Sequence, residues 1–243
     1  MNGIIDIIKN TNTSASNLNP TVIYNEGWMT RLFVYYSIKE KLTVNNIDFS
    51  KLSNWCSEAV ITGPFKPRRK GDNLGEGLTH ADMTLGDFNV NFEENGEVNL
   101  QEDAEIFGII EAKMGSNLTK GIKNAPNYNQ ASRNLACIAN ETLDTASCKI
   151  FFGVVAPEKK IIDHKLEYQV NKEFMLSQIR ERFEMYPIEF RTEKRMDSII
   201  SKAKEADVWV ISYEEWLTRF SNIEIINELS DFYKQAKKWN NIK

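Results

Sequence analysis

The chain has 243 residues and a mass of 28.0 kDa, and its 30 Lys and Arg against 34 Asp and Glu give a net charge of −4. A composition of 42% apolar and 26% charged residues is typical of a globular domain, which excludes a disordered chain, a collagen-like repeat and a coiled-coil rod. The length suits one elaborated domain or at most two, and we interpret residues 1–243 as one.

The N-terminal part of the chain predicts a helix and no targeting segment. The first ten residues, MNGIIDIIKN, lack a basic leader followed by an apolar core, so we expect no secretory signal. Asn25 followed by Glu26 is a good helix start, because Asn caps free amides and an acid suits the first turn. The helix is predicted to reach about Glu40, and its aromatic residues at 28, 33, 35 and 36 are predicted to lie in the core.

Strands dominate the next part of the chain. A short helix is predicted at about residues 50–58, then the start of a strand at 59–62 and a long loop at 63–79 that is rich in Gly, Pro and basic residues. Residues 80–90 alternate as a half-buried strand does. Asn95-Gly96 predicts a hairpin turn, from which the chain returns through residues 106–114.

The remaining chain alternates helices with two strands. Asn124-Ala125-Pro126 predicts a helix start, and that helix is expected to end at about Ala139. Lys149–Ala156 is apolar on both faces, as in a strand covered by helices on both sides. Helices at about 171–184 and 192–205, a strand at 208–212 and two C-terminal helices complete a mixed α/β domain. The longest apolar run, 150–156, is far shorter than the roughly 20 residues of a membrane span.

Scarce histidine and cysteine limit the available chemistry. The chain has 2 His and 3 Cys, with no Cys-x-x-Cys pair, so zinc ribbons and disulfide frameworks are excluded and a reduced, cytoplasmic protein is expected. A Walker-type phosphate loop and a Gly-x-Gly-x-x-Gly loop after a strand are also absent. An enzyme with this sequence must therefore work with carboxylates and lysines.

Glu111 and Lys113 interrupt an otherwise apolar strand, Ile109–Met114. Residues two apart in a strand point to the same face and lie about 7 Å apart, so a carboxylate and an ammonium are presented together. Burying two charges in this way requires a reason, and we take it as a sign of function.

The hairpin register predicts which residues join this pair. Pairing about Asn95-Gly96 puts residue 82 opposite 109 and residue 80 opposite 111. Asp82 and His80 then share a face with Glu111 and Lys113, and Asp82 lies diagonal to Glu111, within reach of a shared cation. Asp87 has the opposite parity and lies closer to the turn.

These residues resemble the PD-(D/E)xK nuclease superfamily, which has the restriction-endonuclease-like fold. The resemblance rests on His80-Ala81-Asp82 opening a strand, Glu111-Ala112-Lys113 on its partner and Gln130 on the helix just afterwards. It implies a mixed sheet core flanked by helices, with the core at about residues 25–156 and accessory segments at about 41–79 and 157–243. Ala81 replaces the family's leading proline, a position that touches no ligand.

The resemblance also implies a metal site. Asp82 and Glu111 would bind Mg²⁺, which Mn²⁺ can replace, with help from the backbone carbonyl of Ala112. Glu26 matches the position from which other members add an acid to this site.

Two further roles are carried over by position. Lys113 would orient the attacking water and stabilise the transition state. Gln130 resembles the polar residue that some members place on the following helix.

DNA is the expected partner, and several basic residues are candidates to contact its backbone. Local charge rather than net charge positions DNA on a protein, so an acidic chain can still bind it. The candidates are Lys66, Arg68, Arg69 and Lys70 in the long loop, and Lys120, Lys123 and Arg133 near the helix that carries Gln130.

The sequence supports one main hypothesis and two alternatives. The main hypothesis is a Mg²⁺-dependent nuclease that hydrolyses DNA, for example a restriction or genome-defence endonuclease; a homodimer would cut both strands of a duplex, because one active site cuts one strand. The first alternative is a catalytically silent DNA-binding or assembly module with the same fold. The second is an unrelated α/β protein with a structural ion-pair ladder, which would place Asp82 and Glu111 on opposite faces.

Overall fold

The computed structural model describes residues 7–8, 18–72, 74–121, 125–145, 147–186 and 193–242. Within these ranges the chain is a mixed α/β fold, with one large sheet between two layers of helices. Its strands are β1 (Thr43–Val44), β2 (Ile47–Asp48), β3 (Asn54–Ile61), β4 (Thr79–Gly86), β5 (Phe88–Asn91), β6 (Glu97–Leu100), β7 (Ile106–Ala112), β8 (Lys149–Ala156) and β9 (Asp207–Ser212). Its α-helices are α1 (Glu26–Lys39), α2 (Gln130–Glu141), α3 (Glu158–Asp163), α4 (Leu166–Gln169), α5 (Lys172–Glu184), α6 (Glu193–Glu205), α7 (Tyr213–Leu217) and α8 (Ile223–Trp239).

The large sheet has seven strands in the described part of the chain, in the order β5-β6-β3-β4-β7-β8-β9. β3, β4 and β7 are antiparallel neighbours, whereas β8 and β9 are parallel to β7. Helix α2 makes the crossover from β7 to β8, as a parallel connection requires. β7 and β8 therefore end at the same edge of the sheet.

Each face of the sheet is covered by its own group of helices. Helices α2, α5 and α6 pack on one face, around Leu135, Ile179 and Ile199. Helices α1, α7 and α8 cover the other face, where Phe33 and Trp216 are buried. β8 is covered on both faces, which explains why its sequence is apolar at both parities and confirms the predicted buried strand.

The β5–β6 hairpin is an insertion between β4 and β7. Its turn at Asn95-Gly96 has positive φ angles of 60° and 82°, which confirms the predicted turn. Asp87 closes its base, since Oδ2 accepts the amides of Glu105 and Ile106 at 2.9 and 3.1 Å. Gly86, at φ 134°, allows the chain to leave β4; a Cβ there would lie 2.1 Å from the Ile106 carbonyl oxygen.

This insertion corrects the predicted strand pairing. The strand predicted at residues 80–90 breaks after Gly86 into β4 and β5, and the hairpin turn joins β5 to β6. β6 pairs with β3 on the far side of β4, and β7 returns to pair with β4 directly. Sequence parity could not show this break, because both halves continue the same alternation.

Three other predictions of local structure are wrong. The helix predicted at 50–58 is mostly the strand β3, which packs between β4 and β6. The helix after β7 begins at Gln130, where Asn129 accepts the Ser132 amide at 2.8 Å, and not at Asn124-Ala125-Pro126. Of the aromatic residues predicted for the core, Phe33 is buried, but Trp28 and Tyr35 are 40% and 49% exposed.

The remaining elements agree with the predictions. Asn25 caps α1 by accepting the Trp28 amide at 2.9 Å, and helices α5 and α6, strand β9 and two C-terminal helices lie where expected. No helix among the described residues has the length and apolar character needed to cross a membrane.

Candidate active site

The candidate site lies where β4 and β7 separate. Their pairing runs from Gly86 opposite Phe107 to Met83 opposite Ile110 and stops there. One further step would put Asp82 opposite Glu111, and the Asp82 Oδ2 accepts the amide of Ala112 at 2.8 Å. Beyond this point β7 remains joined to β8, because Lys113 donates its amide to the Val155 carbonyl at 2.8 Å.

The observed register differs from the predicted one by two residues. Residue 84, not 82, pairs with 109, so Asp82 faces Glu111 directly instead of diagonally. Because side chains alternate with a period of two, a shift of two residues leaves the same residues on the same face. The structure therefore brings Asp82, Glu111 and Lys113 together, and the alternative with the two acids on opposite faces is wrong.

Glu111 is fully buried and accepts hydrogen bonds at both oxygens. Its Oε1 accepts from Lys113 Nζ at 2.6 Å and from Gln130 Nε2, and its Oε2 accepts from Asn134 Nδ2 at 2.8 Å. Lys113 Nζ also lies 3.7 Å from Asp82 Oδ2. One ammonium is thus shared between two carboxylates, and two amide side chains of α2 orient the buried one.

The charges in this cluster are out of balance. Burial raises the pKa of Glu111 well above its usual value, and the neighbouring Asp82 charge raises it further, against the opposing effect of Lys113. Burial alone would lower the pKa of Lys113, but the charges of Glu111 and Asp82 outweigh burial and raise it. The site is therefore short of positive charge, and its only nearby partial compensation within the printed contacts is the Lys113 ammonium.

Glu26 holds the chain that follows β7. Its carboxylate accepts the Met114 amide at 2.7 Å and the Ser116 hydroxyl at 3.1 Å. Its charge also acts on Lys113 and on Lys160, which donates to the Gly115 carbonyl at 3.0 Å. Glu26 borders the site as predicted, but its oxygens already have protein partners.

The oxygen donors of the site are compatible with Mg²⁺. Magnesium is usually held by one or two carboxylates and keeps several waters, and Asp82 and Glu111 supply two carboxylates. The Asn134 Oδ1 is buried without a hydrogen-bond partner among the described residues, so a third oxygen is available next to Glu111. No set of three His, Cys, Asp or Glu side chains in the described ranges is arranged to hold a metal ion.

The predicted basic loop is partly occupied with its own contacts. Arg68 forms an ion pair with Asp72 at 2.6 Å and stacks on Tyr186, with its guanidinium carbon 4.9 Å from the ring centre. Lys66, Arg69 and Lys70 are exposed. Arg68 thus has a structural role, and DNA contact by this loop stays a prediction.

The other candidates differ in their exposure. Lys120 and His80 are exposed, whereas Arg133 is half-buried and its Nε has no hydrogen-bond partner among the described residues. Lys123 lies outside the described residues. Gln130 has a second contact, since its amide donates to the Thr119 carbonyl at 2.9 Å and ties the loop after β7 to α2.

Sequence reasoning missed Asn134 and Lys160. Asn134 lies four residues after Gln130, a spacing that puts both side chains on one helix face, and this signal could have identified it. Lys160 follows β8, whose end lies beside that of β7 because the two strands are parallel. That proximity needs the strand order and is not visible in the sequence.

Comparison with known proteins gives this site no counterpart. No protein-family model matches the chain, no curated protein matches it, and no solved structure matches it.

Proposed function

We propose that this chain is a metal-dependent nuclease of the PD-(D/E)xK superfamily that hydrolyses phosphodiester bonds in DNA. The observation that carries the proposal is the convergence of Asp82, Glu111 and Lys113 where β4 and β7 separate, with Lys113 Nζ 2.6 Å from Glu111 and 3.7 Å from Asp82. An acid pair that shares one ammonium is costly to bury, so a structure with no functional use for it is expected to lose it.

The order of elements supports the same proposal. The sequence of α1, β3, β4, β7, α2 and β8 agrees with the helix, three strands, helix and strand expected of this superfamily. The β5–β6 hairpin and the segment after β8 are additions to that core.

In the proposed reaction a water attacks the phosphorus, the bond to one ester oxygen breaks, and that oxygen takes a proton as it leaves. Asp82 and Glu111 would hold Mg²⁺, or Mn²⁺ in its place, and the bound ion would neutralise charge that develops on the phosphate. Lys113 can donate hydrogen bonds to the attacking water and to the phosphate oxygens. Gln130 and Asn134 keep the Glu111 carboxylate in one orientation.

A second candidate is a DNA-binding module that does not cleave. The burial of Glu111 favours it, because both oxygens of this carboxylate already accept hydrogen bonds from the protein. The two candidates differ in whether any nucleic acid is cleaved.

Cleavage assays test the proposal and separate the two candidates. Plasmid, single-stranded DNA and RNA are incubated with wild type, Lys113→Ala and Asp82→Asn in Mg²⁺ or Mn²⁺, and with the exposed-site control Lys204→Ala. We expect wild type and the control to cleave DNA, EDTA to abolish cleavage, and Lys113→Ala to lose about 100-fold or more in rate.

Equal cleavage by wild type and Lys113→Ala would contradict the assignment. DNA binding without cleavage by any protein would favour the silent module. Circular dichroism of each variant shows whether a lost activity reflects the site or the fold.

A further inference from the structure

A cleft lies at the sheet edge where β7 and β8 end. It has a volume of about 330 Å³ and is walled by Met114 and Gly115, by helix α3 and by residues 240–242. Gly115 comes two residues after Lys113, a chain distance of at most about 7 Å. The cleft is therefore a direct neighbour of the candidate active site.

Lys160 is a buried cation in the wall of this cleft. It is 9% exposed, and its Nζ donates to the Gly115 carbonyl at 3.0 Å. An ammonium has three N–H donors, and Lys160 takes part in no ion pair among the described residues. Burial lowers its pKa, against the opposing charge of Glu26.

A buried ammonium without a carboxylate partner is costly, so its retention calls for an anion that the protein itself does not supply. The other charged side chains of the cleft are Lys159, Asp163 and His164. Two lysines against one aspartate leave the cleft positive even when His164 is neutral. A phosphate group fits both this charge and the remaining donors of Lys160.

We propose that this cleft binds a phosphate group of the nucleic-acid substrate next to the scissile phosphate, and that Lys160 donates hydrogen bonds to its oxygens. The inference rests on the proposed function and deepens it, because it names how the strand is held beside the site. The phosphate can belong to the interior of a strand or to its end, and the two sources make the same contacts.

Salt-dependent binding tests this inference without relying on cleavage. The Kd of a fluorescent oligonucleotide is measured in Ca²⁺ at several salt concentrations for wild type, Lys160→Met and Lys160→Gln, with Lys204→Met as the control for charge. Lys160→Gln keeps a donor for the Gly115 carbonyl but removes the charge. Oligonucleotides with hydroxyl ends and with a 5′- or 3′-phosphate identify the source of the phosphate.

We expect both Lys160 variants to raise Kd about tenfold or more, and to reduce the slope of log K against log salt by about 0.7 for single strands or 0.9 for duplexes. An effect on hydroxyl-ended strands assigns an interior phosphate, and an effect confined to phosphorylated ends assigns a terminal one. Lys204→Met is expected to leave Kd within about twofold.

Equal Kd and equal slope for wild type and correctly folded Lys160 variants would overturn this inference while leaving the nuclease proposal intact. Failure of wild type to bind or cleave any nucleic acid would overturn the proposed function itself. Unfolding curves of each variant identify any loss that comes from misfolding.

Discussion

Glu111 has no exposed surface, yet it is surrounded by three side chains that donate to it. Two of these donors, Lys113 and Gln130, were identified from the sequence, and the third, Asn134, was not. A buried carboxylate needs a donor for every lone-pair region that water no longer reaches, so Asn134 is as much a part of this cluster as Lys113.

Replacement of Asn134 by Ala should reduce the free energy of unfolding by about 1–3 kcal/mol, because Glu111 Oε2 loses its donor while it stays buried. Urea unfolding at pH 7 in EDTA measures the change. Asn127→Ala is the control, since this exposed amide donates to Glu181 at the surface, and it should cost less than about 0.5 kcal/mol. Equal effects at the two positions would show that Asn134 does not support Glu111.

At the scale of elements, the loop between β3 and β4 is held by a small set of charged and aromatic contacts. Arg68 pairs with Asp72 and stacks on Tyr186, and Asp72 also accepts the amides of Arg68 and Leu74. A buried ion pair between Arg182 and Glu76, 2.9 Å long, joins the same loop to α5. The predicted loop is thus a packed element of the fold.

The Arg68–Asp72 pair predicts a dependence of stability on pH. Hydrogen bonds from Arg68 hold the pKa of Asp72 below its usual value, so the folded chain binds fewer protons here than the unfolded chain. The stabilisation is present above the unfolded pKa of about 3.9 and is lost as the pH falls toward the folded pKa. Wild type should therefore be more stable than Asp72→Asn at pH 7, and the difference should shrink below about pH 4.

Urea unfolding of both proteins between pH 7 and pH 3 provides the measurement, with Asp103→Asn at an exposed position as the control. A difference between wild type and Asp72→Asn that stays constant across this range would contradict the assignment.

At the scale of the whole molecule, the chain after β8 completes the core that α1 begins. Trp216 of α7 is fully buried, lies 5.3 Å from Phe33 of α1 between ring centres, and donates to the Ser37 hydroxyl at 3.0 Å. β9, from the same segment, extends the sheet beside β8. The segment predicted to be accessory therefore carries one face of the core.

Trp216→Ala should destabilise the whole fold by about 3–5 kcal/mol, because it leaves a large cavity between α1 and α7. Trp216→Phe keeps most of the volume and should cost less. Far-UV circular dichroism and fluorescence should report one shared unfolding transition for both variants. A separate early loss of C-terminal helix with an unchanged main transition would contradict this view of the core.

The sequence by itself determined the local features. The Asn25 cap of α1, the doubly buried β8 and the turn at Asn95-Gly96 each depend on neighbouring residues, so periodicity and capping chemistry were sufficient. The shared face of Asp82 and Glu111 also came from parity, which survives a register error of two residues.

The tertiary structure decided which segments become neighbours. A strand such as β3 packs in the sheet although its sequence favours a helix, because cross-strand packing outweighs local propensity. The break after Gly86 and the nearness of Lys160 to Gly115 follow from the strand order, which brings residues far apart in sequence to one edge. Sequence chemistry thus supplied the charged residues of the site, while long-range packing set their burial, their partners and the cleft beside them.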